Sequence, residues 1–155
     1  MRNLEVQRII DSPLLPDDAE LQLWVEKALI DYTRDAEVLI RIVDTQEITD
    51  LNEKYRHKQG PTNILSFPFE KPADVEGLHL LGDLVVCAEV LQLEARNQGK
   101  ALSDHWAHII IHGVLHLIGF DHINDTEAHE METKEVYLLQ QLKIDNPYQE
   151  NEVNG

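Results

Sequence analysis

The chain has 155 residues, the size of one domain, and 43% of them are hydrophobic, enough for a core without disulfide staples. Thirteen Lys and Arg stand against 29 Asp and Glu, a formal net charge of −16. That balance excludes a general electrostatic grip on nucleic acid, which needs a basic face, and equally a grip on anionic membrane.

Leu4, Val6, Arg8 and Ile10 alternate with mostly polar neighbours and predict an opening strand that Asp11-Ser12-Pro13 ends. Asp17 and Asp18 then open a helix carrying Leu21, Leu23, Trp24, Ala28 and Leu29. Glu37 to Val43 is β-branched and apolar, a second strand. Asp44 and Glu47 have the spacing of a capping box for a helix running to about Tyr55. The loop RHKQGPTN follows, with Gly60-Pro61 as its punctuation, and then a short strand, Ile64 to Phe67, stopped by Pro68. Leu80 to Cys87 is a further strand, and Ala88 to about Gln98 a helix ended by Gly99. Ser103 is placed to cap a helix from Asp104 to about Ile118, which Gly119 terminates in the left-handed conformation. Asn124 or Asp125 opens the last helix, to about Lys143. No repeat or composition shift marks a second domain. The expectation is one mixed-sheet domain, α+β or α/β, over residues 1–145, with a flexible tail at 146–155.

Cys87, the one cysteine, can form no intrachain disulfide and reads as a small buried hydrophobe. The N-terminal segment has no apolar core of a secretory signal. The longest apolar-rich run, Trp106 to Ile118, is too short for a bilayer and is interrupted by His108, His112 and His116. A cytoplasmic location with no membrane partner follows as an expectation.

The chemistry concentrates in HGVLHLIGFDH, residues 112–122. Residues four apart on a helix stand nearly one above the other, so His112 and His116 can present two imidazoles to one ion. A glycine turn at Gly119 would let His122 swing back as a third ligand. Three neutral imidazoles with an open position are the ligand set of catalytic zinc, one ion per chain, although other divalent transition metals also suit imidazole. The helix is apolar almost all round, so buried imidazoles would need a partner, and a metal provides one. The spacing HxxxHxxGxxH matches the zinc-peptidase pattern HExxHxxGxxH except that Gly113 stands where those enzymes carry the glutamate base. That omission argues against peptide hydrolysis.

With these residues, the chain resembles the YbeY family of bacterial single-strand-specific endoribonucleases. HGVLHLIGFDH looks like the family signature. Leu51 to Arg56 with Pro61 to Pro68, Leu81-Gly82-Asp83, and His105 to His122 look like its other blocks, in matching order over roughly residues 35–140. The resemblance implies an α+β zincin-like domain, a mixed four-stranded sheet with about five helices around a central buried metal-binding helix. It implies zinc-dependent RNA cleavage in maturation of the 16S rRNA 3′ end and in ribosome quality control. Its implied partners are ribosomal RNA, components of the small ribosomal subunit and the Era GTPase, and not DNA. His112, His116 and His122 match the family's metal ligands, and Arg56 matches its functional arginine. Asn63 departs from the pattern, since many relatives have Asp there, so no base is assigned to it.

Taken alone, Arg56 is a surface arginine near a helix C-terminus, favoured by the dipole; beside an RNA phosphate, its guanidinium could grip two oxygens at once. Asn63 and Ser66 are candidates to line the same cleft. His108, one turn before His112, could support or contact substrate or be a core histidine, and His105 should be similar and more exposed. Asp121 could orient an imidazole or serve the turn, and Asp83 reads as a structural hydrogen-bonding residue. Lys54, Arg56, His57 and Lys58 form the one compact basic cluster near the loop, so any RNA affinity should come from a local cationic pocket rather than from overall charge. Two other readings remain open at this point: a zinc hydrolase of another class, peptidase or amidase, and a non-enzymatic ribosome-assembly factor with a structural zinc.

Overall fold

Strand β2 (Ala36–Val43) is the spine of the sheet, because every second residue along it (Ala36, Val38, Ile40, Ile42) is buried against one helical layer. In this computed structural model, which describes residues 2–69, 79–121 and 124–148, β1 (Arg2–Arg8) and β4 (Leu80–Cys87) flank β2 in parallel. The short β3 (Ile64–Pro68) pairs antiparallel with β4, giving the order β1-β2-β4-β3. Among the described residues the helices are α1 (Asp18–Ala28), α2 (Thr45–Arg56), α3 (Ala88–Gln98), α4 (Leu102–Leu117) and α5 (Asp125–Gln141). The architecture is thus α+β: a four-stranded mixed sheet with five helices. None of these helices is long and apolar enough to cross a membrane.

The two faces of the sheet are covered unequally. Leu84 and Val86 of β4 face the large core with α1, α3, α4 and α5, whereas Val85 and Cys87 face a smaller cluster with Leu65 and with Ile48 of α2. Helix α4 lies at the centre of the larger layer. Trp106, Ile110, Ile111, Val114 and Leu115 are almost wholly excluded from solvent, as a helix apolar all round requires.

Local signals account for most element ends, with instructive exceptions. Asp17 and Glu20 form a complete capping box on α1. Asp44 caps α2 through the Glu47 amide, but the Glu47 carboxylate pairs with Arg41 of β2 at 2.5 Å instead of returning to the cap. Ser103 is not the cap of α4: the helix begins one residue before it, with extended Ala101 at the N-cap and no side-chain bond. Asn124, rather than Asp125, caps α5. The first strand stops at Arg8, two residues before Ile10, and Pro68 is the last residue of β3 rather than its stop, as an edge strand permits.

Gly82 of β4 pairs with Pro68, the last residue of the antiparallel β3. Its φ is +148°, and a Cβ there would stand on the Phe67 carbonyl oxygen and within 2.9 Å of Pro68 Cα. Both neighbours are backbone and cannot turn away. Gly82→Ala should therefore destabilise the domain by about 2–4 kcal/mol and lower Tm by roughly 5–15 °C in a thermal melt. An unchanged Tm would show that the β3 edge can move aside.

Candidate active site

The cleft lies where three elements of different origin meet. Helix α4 presses Gly113 against β3 and β4, so that a Cβ there would stand 2.7 Å from Ile64 Cδ1 and 2.9 Å from Leu84 Cδ2. The position that would carry a peptidase's glutamate is thus packed against the sheet. One residue earlier and three later, His112 and His116 turn toward the open side. Their Nε2 atoms are 3.1 Å apart and their ring centroids 4.7 Å. Two nitrogens bound at 2.0–2.1 Å to one tetrahedral ion would be about 3.3 Å apart, so this pair is spaced to share an ion. Gly119, at φ +107°, turns the chain after α4 as its sequence position predicts. His122, the expected third ligand, lies outside the described residues.

Both histidines line a cleft of about 720 Å³, together with Arg56, Asn63, Ser66 and Asp121. Arg56, the last residue of α2, comes from the opposite face of the sheet and reaches around its edge. Its Nη2 donates to the Ser66 carbonyl at 2.7 Å, and the guanidinium lies 5.0 Å from the Phe67 ring. The edge strand therefore aims the arginine. Lys58 also lines the cleft, whereas Lys54 lies over the Tyr55 ring and His57 takes the left-handed turn that ends α2. Ser66 Oγ approaches the Gly113 carbonyl at 3.5 Å, linking β3 to α4.

Behind this cleft lies a polar cluster in which Glu135 and Tyr148, neither singled out from sequence, join His108 and His112. Glu135 of α5 is fully buried. One of its oxygens accepts a very short hydrogen bond from His112 Nδ1, and the other accepts one from the Tyr148 hydroxyl. His108 Nε2 stands 3.6 Å from that second oxygen and 3.2 Å from the Tyr148 hydroxyl. Burial alone would raise the Glu135 pKa, but the adjacent His108 and His112 imidazoles outweigh it and hold the value at about 2. The carboxylate is therefore ionised and acts as an acceptor. Burial pushes the His108 imidazole down and the Tyr148 phenol up, the phenol also through the Glu135 charge. A buried acceptor on Nδ1 places the His112 proton there and leaves the Nε2 lone pair toward the cleft, the arrangement that orients metal-ligating histidines. His108, His112 and Glu135 also offer ligand atoms within 4.8 Å of one another, and this group could itself hold a metal ion.

One expectation is corrected. His105 is only 3% exposed, not more open than His108, and its Nε2 meets the Glu94 carboxylate of α3 at 2.9 Å. Asp83 lies on the solvent side of β4, and partial desolvation of its carboxyl, followed by the Glu5 charge, raises its pKa. Asn63 completes the His105 pair by donating to Glu94 at 3.3 and 3.4 Å. A carboxylate at 63 would face the Glu94 carboxylate, so the amide suits this chain. Glu135 could have been found from sequence. It falls in register with Met131, Leu138 and Leu139, a carboxylate on the apolar stripe of α5. Tyr148 has no such signal.

The family model described as Endoribonuclease YbeY matches residues 11–143. A protein of Colwellia psychrerythraea named Endoribonuclease YbeY is 54% identical over 140 residues, which cover 88% of this chain and 90% of that one. One of Pseudomonas entomophila with the same name is 51% identical over 155 residues, covering 100% and 98%. The solution structure of a Thermotoga maritima protein superposes with a TM-score of 0.61 at 26% identity, covering 99% of this chain and 93% of the other.

Glu94, between His105 and Asn63, makes the stability of the domain depend on pH. Burial raises the Glu94 pKa, but the His105 and Asn63 hydrogen bonds bring it below the ordinary value. A depressed carboxylate contributes stability that is present above its unfolded-state pKa and is lost as pH falls through its folded-state value. Glu94→Leu should cost about 1–3 kcal/mol near neutral pH, because it leaves the buried imidazole without its acceptor. The gap from wild type in urea melts should narrow on acidification below about pH 4. A gap independent of pH would contradict the assignment.

Proposed function

The chain belongs to the endoribonuclease YbeY family, and we propose that it is a zinc-dependent, single-strand-specific endoribonuclease acting in 16S rRNA 3′-end maturation and ribosome quality control. The observation that carries this reading is the pair of His112 and His116 Nε2 atoms, 3.1 Å apart, in the same cleft as Arg56. His112, His116 and His122 would hold the ion. Zinc bound there would lower the pKa of its water to about 7 and so make hydroxide available near neutral pH.

The chain's own residues set the rest. Glu135 holds the His112 proton on Nδ1 and keeps the ring aimed at the cleft. Arg56 has five N–H donors, and its bond to the Ser66 carbonyl occupies one. The remaining fork suits a phosphodiester, whose negative charge grows as the bond to the leaving oxygen breaks. Lys58 extends the positive charge along the cleft wall. In a chain of net charge −16, this local pocket must do the gripping. Affinity for isolated RNA should therefore be modest, with ribosomal components and the Era GTPase supplying further contacts and a cytoplasmic setting to match. Gly113, packed on Ile64 and Leu84, counts against the peptidase alternative. A second position for the ion, among His108, His112 and Glu135, is favoured by their mutual proximity.

Zinc-loaded protein should cut a single-stranded ribosomal RNA fragment and leave an unstructured peptide intact. His116→Ala and chelation should each abolish cutting, and Arg56→Ala should lower kcat/KM by about 10²–10³-fold. RNA left whole by the zinc-loaded protein overturns the proposal. If His108→Ala weakens zinc binding more than His116→Ala does, the second ion position is correct.

A further inference from the structure

The last described turn of the chain ends on the carboxylate behind His112. After α5 the chain folds back, with Ile144 packed on the core, and Lys100 Nζ of the α3–α4 turn donates to the Pro147 carbonyl at 3.2 Å. Asn146 Oδ1 accepts from the Tyr148 amide at 2.8 Å and shapes a tight turn. That turn delivers the Tyr148 side chain between α4 and α5. Its ring meets the His108 ring edge-on at 5.5 Å, and its hydroxyl donates to the Glu135 oxygen that His112 leaves over. The family match stops at residue 143, so this contact lies outside the matched region.

We propose that Tyr148 is a positioning residue for the metal site and that the C-terminal turn is thereby part of the catalytic machinery. This proposal rests on reading His112 as a metal ligand through Nε2. Glu135 is fully buried, so its second oxygen cannot be satisfied from bulk water. Among the described residues, Tyr148 is in hydrogen-bond contact with that oxygen and His108 stands 3.6 Å from it. With the phenol in place, one oxygen is pinned and the other is aimed at His112 Nδ1. Without it, the carboxylate can rotate toward His108, and the His112 ring loses its fixed tautomer and direction. The ligands would all remain, but held less firmly.

The experiment compares full-length wild type and Tyr148→Phe, which keeps the ring against His108 and removes only the hydroxyl. Cobalt(II) is the probe: its affinity is read by competition with a chelator, and its visible absorption reports ligand geometry independently of RNA cleavage. Tyr148→Phe should bind cobalt about 10-fold more weakly, the low end of what loss of an outer partner costs, with an altered absorption envelope. Far-ultraviolet circular dichroism should be unchanged. Equal affinity and an identical spectrum overturn the proposal. Should Tyr148→Phe fail to fold, Lys100→Met loosens the turn from its other end, and wild-type affinity in that variant likewise overturns it. A weakened Tyr148→Phe beside a wild type that binds cobalt but cuts no RNA would sink the nuclease reading and leave this one standing. A wild type that binds no cobalt would sink both.

Discussion

His112 has two ring nitrogens, and the buried carboxylate of Glu135 determines what each can do. An ionised carboxylate with no exposure to water is costly unless hydrogen bonds surround it. Here the His112 Nδ1–H and the Tyr148 hydroxyl both point at it. The same bond that stabilises the carboxylate fixes the imidazole tautomer, so the need for satisfaction inside the core and the need for a lone pair in the cleft are met by one proton. Helix α5 docks on α4 through this contact and through Met131, Leu138 and Leu139 in the core. The path of the chain after α5 brings a phenol to the remaining oxygen.

The sheet supplies the other half of the site. Because β3 is an edge strand, the Ser66 carbonyl is available to an arginine arriving from the far face, and Arg56 reaches the cleft by that route. Because Gly113 has no side chain, α4 packs directly on Ile64 and Leu84, which brings His112 and His116 to the same edge. A glutamate at 113 would have to displace those side chains. The departure from the zinc-peptidase pattern is thus a packing feature of this fold as well as a missing base. Arg56 and Lys58 bring positive charge to that edge of a chain whose net charge is −16.

What the sequence disclosed and what it hid divide along physical lines. Alternation marked the first strand and short apolar runs between turn signals the other three, and the four-residue spacing of His112 and His116 with the turn at Gly119 marked the mouth of the site, because each depends on local geometry. Arg56 could not be judged by pattern, since its value depends on a carbonyl of a strand ten residues away. His105 was misplaced because a helix apolar all round gives no exposed face against which to judge a polar residue. Its burial is set by Glu94 on another helix. Ser103 has good capping chemistry, yet the helix starts at Leu102, within the ordinary uncertainty of helix ends. Glu135 was legible in principle, as a charge on an apolar stripe, but its partner lies 23 residues away, on another helix.

The central claim is that His112 works from both sides, Nδ1 on Glu135 and Nε2 on a shared ion. A crystal of the zinc-loaded protein measured on both sides of the zinc absorption edge tests it most directly. The account predicts one anomalous peak in the cleft, within about 2.0–2.1 Å of Nε2 of His112 and His116, with His122 as the third protein ligand and Glu135 still on Nδ1. A peak among His108, His112 and Glu135, or a His112 ring turned so that Nδ1 faces the ion, would contradict it.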